Sequence, residues 1–280
     1  MSSVPVTLPI EQLMNAAWPG LDVKDTGAWL LRAAEGVTQR ANSVWPRTAV
    51  TPVEPAIEEA RLWYRDRKLP LIFQLTDSPA NDSLNKVLDG QRYTRQSETI
   101  IMVKSFPDSS SFPDSGAFPE SGAEQPAQDQ ALSDSGAEFS SEPSEEWMDL
   151  WWSVDGRGGA AERAIARRIL TSSPSVYALV REPGGAAAAV GRLALGEVEG
   201  HSYGGLYSLA TYPEFRRQGH ARRVLEALTA ASQAQGHSVM WLLVTAANQG
   251  AQALYTQAGF VETGRYIYRQ APLRMVSAGC

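Results

Sequence analysis

The second half of the chain alternates short apolar runs with longer amphipathic stretches, the pattern of strands that alternate with helices. The run over 238–245 is continuously apolar and predicts a buried strand. The stretch over 221–235 has apolar residues at helical spacing, and Gly236 stops it. Asn248 is placed to cap a helix that Gly259 ends. Further elements are predicted as a helix over 145–170 with a break at 156–159, strands over 176–181, 187–195 and 203–210, and a returning strand over 260–269.

The first hundred residues repeat the end of this order. Leu71 aligns with Val239 at an offset of 168, and Gly90 aligns with Gly259 at an offset of 169. A near-constant offset together with the same element order predicts two tandem copies of one fold, although helix–strand alternation is common in α/β proteins. The fold class expected is α/β (α+β), with a central mixed twisted sheet flanked by helices. In this half, helices are predicted over 56–67 and 83–89, and strands over 69–75 and 97–104.

A segment of low complexity separates the two halves. Residues 105–146 are rich in serine, proline, glycine and acidic side chains, and they contain no lysine or arginine. Such a composition cannot bury enough apolar surface to offset the entropy of ordering, so it predicts a disordered tether. A docking or modification segment is the alternative. The predicted organisation is an N-terminal lobe over 1–104, this linker over 105–146, a C-terminal lobe over 147–272 and a flexible tail over 273–280.

Charge and composition narrow the function classes. The formal net charge is −6, but outside the linker the chain has 25 basic and 21 acidic residues, which is too small an excess for nucleic-acid binding. No apolar run is long enough to cross a bilayer, and the first residues do not resemble a signal peptide. The one cysteine, Cys280, and three scattered histidines predict neither a disulfide nor a metal site. We expect a cytoplasmic protein that needs no membrane.

The strongest candidate for chemistry is a glycine-containing turn between a strand and a helix. Gly219 lets the backbone turn tightly and approach a ligand closely. The N–H groups at the start of the following helix lack helical acceptors, and with the helix dipole and flanking arginines they form an anion site. A ligand that carries phosphate is the expected occupant. An ordinary strand–helix turn with solvated arginines is the alternative.

The R-x-x-G-x-A spacing over 216–221 resembles the pyrophosphate loop of the GCN5-related N-acetyltransferases (GNAT). Asn248 after the next strand and the helix 253–260, which ends in Gly-Phe, are similar to that family in the same order. The resemblance covers roughly residues 147–270 and implies acetyl-CoA as co-substrate, with no metal. The positions it implies for cofactor binding are Leu209, Ala210, Thr211, Arg216, Arg217, Gln218, Gly219, His220, Ala221, Arg222 and Asn248.

The same resemblance implies two catalytic positions. Tyr255 matches a tyrosine that donates a proton to the departing thiolate, and a phenol is a suitable weak acid. The backbone N–H near Leu209 would face the thioester oxygen. The alternative for Tyr255 is a half-buried aromatic side chain, and for Asn248 a plain helix cap. No general base is named, because Glu197, Glu199 and His201 are explained equally well by a surface hairpin.

Acceptor binding is predicted in the N-terminal lobe. The sequence WLLR at 29–32, followed by RANS at 40–43, is similar to the amino-terminal part of two-lobed acetyltransferases of actinobacterial type. Some of these enzymes acetylate amino acids, including glutamate. Arg32 and Arg40 could hold a carboxylate bidentately, beside the polar groups of Asn42 and Ser43. A structural role for these residues is equally open. The positions equivalent to the pyrophosphate loop, about 48–54, have no glycine, so this lobe is expected to bind no cofactor.

The function expected from these observations is direct transfer of an acetyl group from acetyl-CoA to the amine of a small molecule or amino acid, with glutamate as the specific acceptor. A lone cysteine at the chain end argues against a covalent acetyl-cysteine intermediate. A protein lysine or N-terminal acetyltransferase and a non-catalytic acetyl-CoA-binding module are the alternatives.

Overall fold

The computed structural model describes residues 8–106 and 136–272. The linker prediction over 107–135 and the tail prediction over 273–280 therefore lie outside the described residues. The helices are α1 (Ile10–Ala17), α2 (Glu54–Asp66), α3 (Asp82–Gly90), α4 (Glu145–Asp155), α5 (Ala160–Leu170), α6 (His220–Ala234) and α7 (Gln249–Gln257). The strands are β1 (Asp22–Asp25), β2 (Trp29–Ala33), β3 (Val44–Pro46), β4 (Ile72–Thr76), β5 (Thr94–Ser105), β6 (Ala137–Ser140), β7 (Ser175–Arg181), β8 (Ala187–Val198), β9 (His201–Thr211), β10 (Val239–Thr245) and β11 (Val261–Gln270).

All of these strands form one mixed sheet in the order β1-β2-β3-β4-β11-β5-β10-β9-β8-β7-β6, flanked by helices as the sequence predicts. The two lobes exchange strands at its centre. The last strand of the N-terminal lobe, β5, lies between β11 and β10, while β11 lies between β4 and β5. The lobes therefore cannot separate without breaking the central pairings of the sheet.

The internal repeat predicted from sequence is present. The series β4, α3 and β5 corresponds to β10, α7 and β11, and the first residues of each pair lie 167 positions apart in all three cases. In each lobe the series is preceded by a parallel neighbour, because β3 pairs with β4 and β9 pairs with β10 in parallel. The two lobes thus share both element order and strand pairing.

Strand β10 explains why the middle of the sheet is covered on both faces. Its side chains alternate between the faces, as in any strand. Met240 and Leu242 pack against α6 and α7, whereas Trp241 packs against the α1 and α4 side. A strand buried on both sides reads as one continuous apolar run.

One strand forms inside the predicted linker. Residues 137–140 pair with β7 as the edge strand β6. Phe139 packs against the core, and Glu138 accepts a 2.6 Å hydrogen bond from Arg181 Nε. The low-complexity composition of the surrounding sequence hid this alternation of inward and outward side chains.

Candidate active site

A gap opens between β9 and β10 in the middle of the sheet. The two strands pair in parallel only from Tyr203 with Val239 to Leu206 with Leu242. Beyond these pairs β9 continues to Thr211, and the carboxyl ends of the two strands diverge. We call this gap the splay. It exposes backbone groups on which an extended ligand can pair like an added strand.

A bulge in β9 lies at the splay. The register with β8 shifts between Arg192–Tyr207 and Val190–Ala210, so β9 has one extra residue there. Ser208 takes a positive φ of 54° at this point. A bulge removes backbone groups from the ladder and re-aims them. Leu209, the position predicted to supply an N–H to the thioester oxygen, lies within this bulge.

The turn over 216–221, which we call the cofactor loop, has the geometry of an anion site. Arg217 and Gly219 take positive φ values of 64° and 87°. The first helical hydrogen bond of α6 runs from Arg223 N to Gly219 O at 3.0 Å. The preceding N–H groups therefore have no helical acceptor and point out of the helix start. A Cβ built on Gly219 meets no atom within 4 Å, so the space above the loop is open.

The side chains of the cofactor loop brace it. Arg216 Nε donates to Thr211 O at 3.3 Å, and Gln218 Nε2 donates to Glu214 O at 3.2 Å. Arg222 pairs with Glu226 on the exposed face of α6. The ring of His220 is buried, and neither of its nitrogens has a hydrogen-bond partner among the described residues. The loop thus offers a ligand its backbone N–H groups more than its side chains.

The opposite wall of the splay is the start of α7. Asn248 Oδ1 accepts from Ala251 N at 3.1 Å, which caps the helix as the sequence predicts. The residue is exposed, so its amide N–H₂ is available to a ligand. Tyr255, farther along α7, is buried with its ring edge against Phe260. Burial raises the pKa of Tyr255 to about 12, so its phenol is protonated at neutral pH.

Asp155 is a neighbour of this site that sequence reasoning missed. It ends α4, and its charge helps raise the pKa of Tyr255. Asp155 is an exposed residue, yet desolvation by the surrounding side chains raises the pKa of its carboxyl group, against the lowering effects of Trp151, Arg157 and Arg216. The α4–α5 turn therefore brings a carboxylate beside both the cofactor loop and Tyr255. Only its place just before the predicted helix break could have signalled it.

The N-terminal lobe covers the other face of β9. The ring of Trp18 stacks on Tyr207 at 5.5 Å, and the guanidinium of Arg40 lies 5.3 Å from the same ring. Arg40 also donates to the hydroxyl of Tyr266 at 3.1 Å, while its Nε has no hydrogen-bond partner among the described residues. Of the four acceptor candidates, Arg40 alone therefore lies against β9 with a donor that has no partner among the described residues.

The other three candidates are engaged within their own lobe. Asn42 Oδ1 accepts from Ala34 N and Gly36 N, and its amide donates to two carbonyl groups of the same loop. Ser43 Oγ accepts from Arg32 Nη2 at 2.9 Å. Arg32 is fully buried and also donates to Gln74 Oε1 at 2.7 Å. These contacts favour a structural role for the three residues.

Replacing Arg32 with leucine is expected to destabilise the fold by about 3 kcal/mol, because several buried acceptors lose their donor at once. The Michaelis constant of any acceptor should change little. Urea denaturation and acceptor kinetics measure the two effects. Arg95→Leu is the matched control: Arg95 is exposed and pairs with Asp89, so its loss should cost less than about 1 kcal/mol. A large rise in acceptor Michaelis constant with little destabilisation would assign Arg32 to the acceptor instead.

The N-terminal lobe has little space at the position equivalent to the cofactor site. The cavity between the segment after β3 and the start of α3 measures only about 10 Å³. Pro46, Val50 and Val53 line it from one segment, and Ala80 and Leu84 line it from the other. The small volume agrees with the absence of glycine from 48–54, and that this lobe binds no cofactor stays a prediction.

Comparison with known proteins supports the assignment of the fold. The uncharacterized N-acetyltransferase YobR of Bacillus subtilis (strain 168) is 28% identical over 260 residues, which cover 93% of this chain and 96% of YobR. The structure of a GCN5-related N-acetyltransferase from Kribbella flavida matches with a TM-score of 0.62 at 16% identity, covering 96% of this chain and 95% of that chain. A tandem GNAT protein from the clavulanic acid biosynthesis pathway matches with a TM-score of 0.53 at 14% identity, covering 94% and 88%.

The two solved structures show a GNAT fold, and one of them is a tandem GNAT protein. Residues 9–269 match the family described as "Probable histone acetyltransferase Rv0428c C-terminal". The match spans nearly the whole chain, including both lobes and the exchanged strands. The chain therefore belongs to this family and is an N-acetyltransferase of the GNAT type.

Proposed function

We propose that the protein transfers an acetyl group from acetyl-CoA directly to the amine of a small molecule or amino acid within a ternary complex. The observation that carries this proposal is the meeting of three features at the splay: the free N–H groups of the cofactor loop, Asn248 and Tyr255. Open space above Gly219 and unpaired N–H groups fit a pyrophosphate, and the diverging edge of β9 fits an extended pantetheine arm.

Each group at the splay has a distinct role in this proposal. The bulge at Leu209 turns a backbone N–H toward the carbonyl oxygen on which negative charge develops. Tyr255 holds the proton that the departing thiolate needs, because its raised pKa keeps it protonated. Asn248 fixes the arm that carries the thioester. Acetyl-CoA itself supplies the activated acetyl group.

Asp155 is our candidate for the group that accepts the amine proton. It is a carboxylate beside Tyr255, and the pairing of a base with an acid of much higher pKa suits the two proton transfers. Since desolvation raises the pKa of Asp155, activity should fall as the pH is lowered through that raised value. Tyr255 should cause no loss of activity between about pH 6 and pH 10, since its pKa is about 12.

Replacing Asp155 with asparagine is expected to lower kcat/KM at pH 7 by about 100-fold, within the usual range for general base catalysis. The deficit should shrink above about pH 9, where more of the acceptor amine is already neutral. The pH profile of initial rates measures both effects. Asp149→Asn is the control, because Asp149 lies on the same helix but pairs with Arg163 on the exposed side. Equal profiles for the two variants would remove Asp155 from catalysis.

The N-terminal lobe covers one face of β9, and this cover agrees with a small acceptor. Trp18 and Arg40 of the N-terminal lobe lie on Tyr207, next to the bulge where the thioester would sit. A free donor on Arg40 suits an acceptor carboxylate, and glutamate is the specific acceptor proposed.

The test is release of CoA thiol from acetyl-CoA in the presence of glutamate, other amino acids and simple amines. Saturable release with glutamate supports the full proposal, and release with another amine keeps the reaction and discards glutamate. Binding of acetyl-CoA without release in any reaction would instead indicate a regulatory module.

A protein acceptor is the second candidate. The description of the matching family names a probable histone acetyltransferase, a protein-modifying activity. Peptides with a free N-terminus or an internal lysine therefore belong in the same panel. Release of CoA with peptides but not with small amines would favour this candidate.

A further inference from the structure

A cavity on the α1 face of the sheet is not used by the site described above. It has a volume of about 550 Å³, within the range of small-molecule pockets. The start of α1 forms one wall, and the ends of β3 and β4 form another. Thr263, Gly264 and Arg265 of β11 complete it, so both lobes contribute. We call it the distal cavity.

Two hydrogen-bond donors in the wall of the distal cavity lack partners. Trp45 Nε1 and Arg47 Nε are withdrawn from solvent, and no acceptor lies within reach of either among the described residues. Trp45 is only 9% exposed. The remaining contacts of Arg47 run to Asp25 and to the carbonyl of Gly27, so its Nε is not needed to hold it in place. Buried donors are nearly always satisfied, and an oxygen atom of a bound ligand would satisfy these two if the side chains of Trp45 and Arg47 turn toward it.

The distal cavity lies on the path to the splay. Its wall residue Ile101 on β5 pairs with Leu243 on β10. Leu243 comes directly after Leu242, where the pairing of β10 with β9 ends. Leu243 is partly exposed and packs on the same face as Ile101. The cavity therefore begins one strand away from the point where acetyl transfer is proposed.

The strand order sets the length of a ligand that would span both places. Four strand spacings separate β10 from β3, in the order β10-β5-β11-β4-β3. At about 4.8 Å per spacing this distance is about 19 Å. Free glutamate is far shorter, so it would leave the donors at Trp45 and Arg47 unmet. An extended chain of five residues is about 17 Å long.

The charged groups that line the distal cavity balance one another. Glu11 and Asp77 line it, and Arg265 is paired with Glu98 and Glu262. Arg47, the other cation of the wall, is paired with Asp25. Two acidic groups thus line the cavity beside two basic ones, so charge places no demand on the far end of an acceptor.

We propose that the distal cavity binds the far end of the acceptor, and that the acceptor is an extended amine with a carbonyl or hydroxyl oxygen about five residue lengths from its nitrogen. This inference rests on the proposed acetyl transfer but not on glutamate as its acceptor: it names a longer acceptor in place of glutamate. Trp45 and Arg47 hold the distal oxygen, and the amine reaches the splay past Ile101 and Leu243. Such an acceptor is a short peptide-like amine or the exposed start of a longer peptide.

The affinities of oligoglycine amides of increasing length test how long an acceptor this site binds. Glycine amide, triglycine amide and pentaglycine amide would be titrated into the CoA-saturated full chain by calorimetry. We expect pentaglycine amide to bind at least 10-fold more tightly than glycine amide. Trp45→Phe, which removes the indole N–H, should abolish that gain and leave glycine amide unchanged. Trp63→Phe is the matched control, since Trp63 is also 9% exposed but lies on the opposite face of the sheet.

A second variant tests the proposal independently if Trp45→Phe does not fold. Gly264 lines the cavity, and a Cβ placed there meets Ile101 Cδ1 at 3.7 Å, an ordinary contact. Gly264→Val should therefore fold and weaken only the longer amides. Equal binding of all three amides to the wild-type chain, or a length preference that survives both variants, would overturn the proposal.

Parallel assays of CoA release test the proposed acetyl transfer separately from acceptor binding in the distal cavity. Release with glycine amide but without length preference leaves the acetyl transfer intact and removes the distal cavity from it. Length-dependent binding without release of CoA from any amine retains the cavity as a binding site and contradicts the proposed reaction. A 20-residue peptide that begins with five glycines distinguishes the sources: tighter binding than pentaglycine amide indicates a protein acceptor, and weaker binding a small molecule.

Discussion

Replacing Tyr255 with phenylalanine is expected to lower kcat by about two to three orders of magnitude, the usual contribution of a positioned general acid. Affinity for acetyl-CoA should stay the same, because the ring remains in its buried place against Phe260. Without the hydroxyl, the thiolate would leave without a proton from the protein. Steady-state kinetics and equilibrium binding of acetyl-CoA measure the two quantities separately.

Tyr203→Phe is the matched control for this variant. Tyr203 is buried in the same lobe on β9, before the splay begins. Its hydroxyl should be dispensable, so kcat should change by less than a factor of about 2. A similar small change in Tyr255→Phe would show that Tyr255 is a packing residue, and the proton would then have to come from water or another side chain.

Replacing Gly219 with alanine is expected to weaken acetyl-CoA binding by about 10- to 100-fold, the cost of losing one or two charge-assisted hydrogen bonds. A φ of 87° is unfavourable for any residue with a Cβ, so the loop should shift toward a different conformation. The added methyl group would also stand in the open space where the phosphates are proposed to lie. Calorimetric titration with acetyl-CoA measures the loss.

Gly236→Ala separates strain from binding. Gly236 follows the other end of α6 with a φ of 74°, and its Cβ would also meet nothing within 4 Å. Both variants should lose about 1–2 kcal/mol of stability from the left-handed conformation. Only Gly219→Ala should lose acetyl-CoA. Equal affinities of the two variants would place the pyrophosphate elsewhere.

The parts of the site that are local in sequence were predictable. Gly219 forms a left-handed turn, and Asn248 caps a helix. Both features depend on only a few neighbouring residues, so the local sequence determines them. The constant offset between the lobes predicted the repeat for the same reason, since each copy has its own helix and strand pattern.

Long-range contacts were not predictable from one sequence. An apolar run predicts that β5 is a strand but not that it lies between β11 and β10. Trp18 and Tyr207 are about 190 positions apart in the sequence, and their stacking depends on how the two lobes pack together. Arginines with an amide and a hydroxyl nearby suit a ligand or a buried network equally well, and only the hydrogen bonds of Arg32 and Asn42 distinguish them. The one local signal of Asp155, its place just before the predicted helix break, does not indicate its proximity to Tyr255.

The stoichiometry of acetyl-CoA binding tests the central claim most directly. We propose one cofactor site in each chain, at the cofactor loop, and none in the N-terminal lobe, where the equivalent cavity measures about 10 Å³. Calorimetric titration of the wild-type chain should therefore give one acetyl-CoA per chain. Two per chain would show that the N-terminal lobe also binds the cofactor, and no binding would contradict the assignment of the splay as the active site.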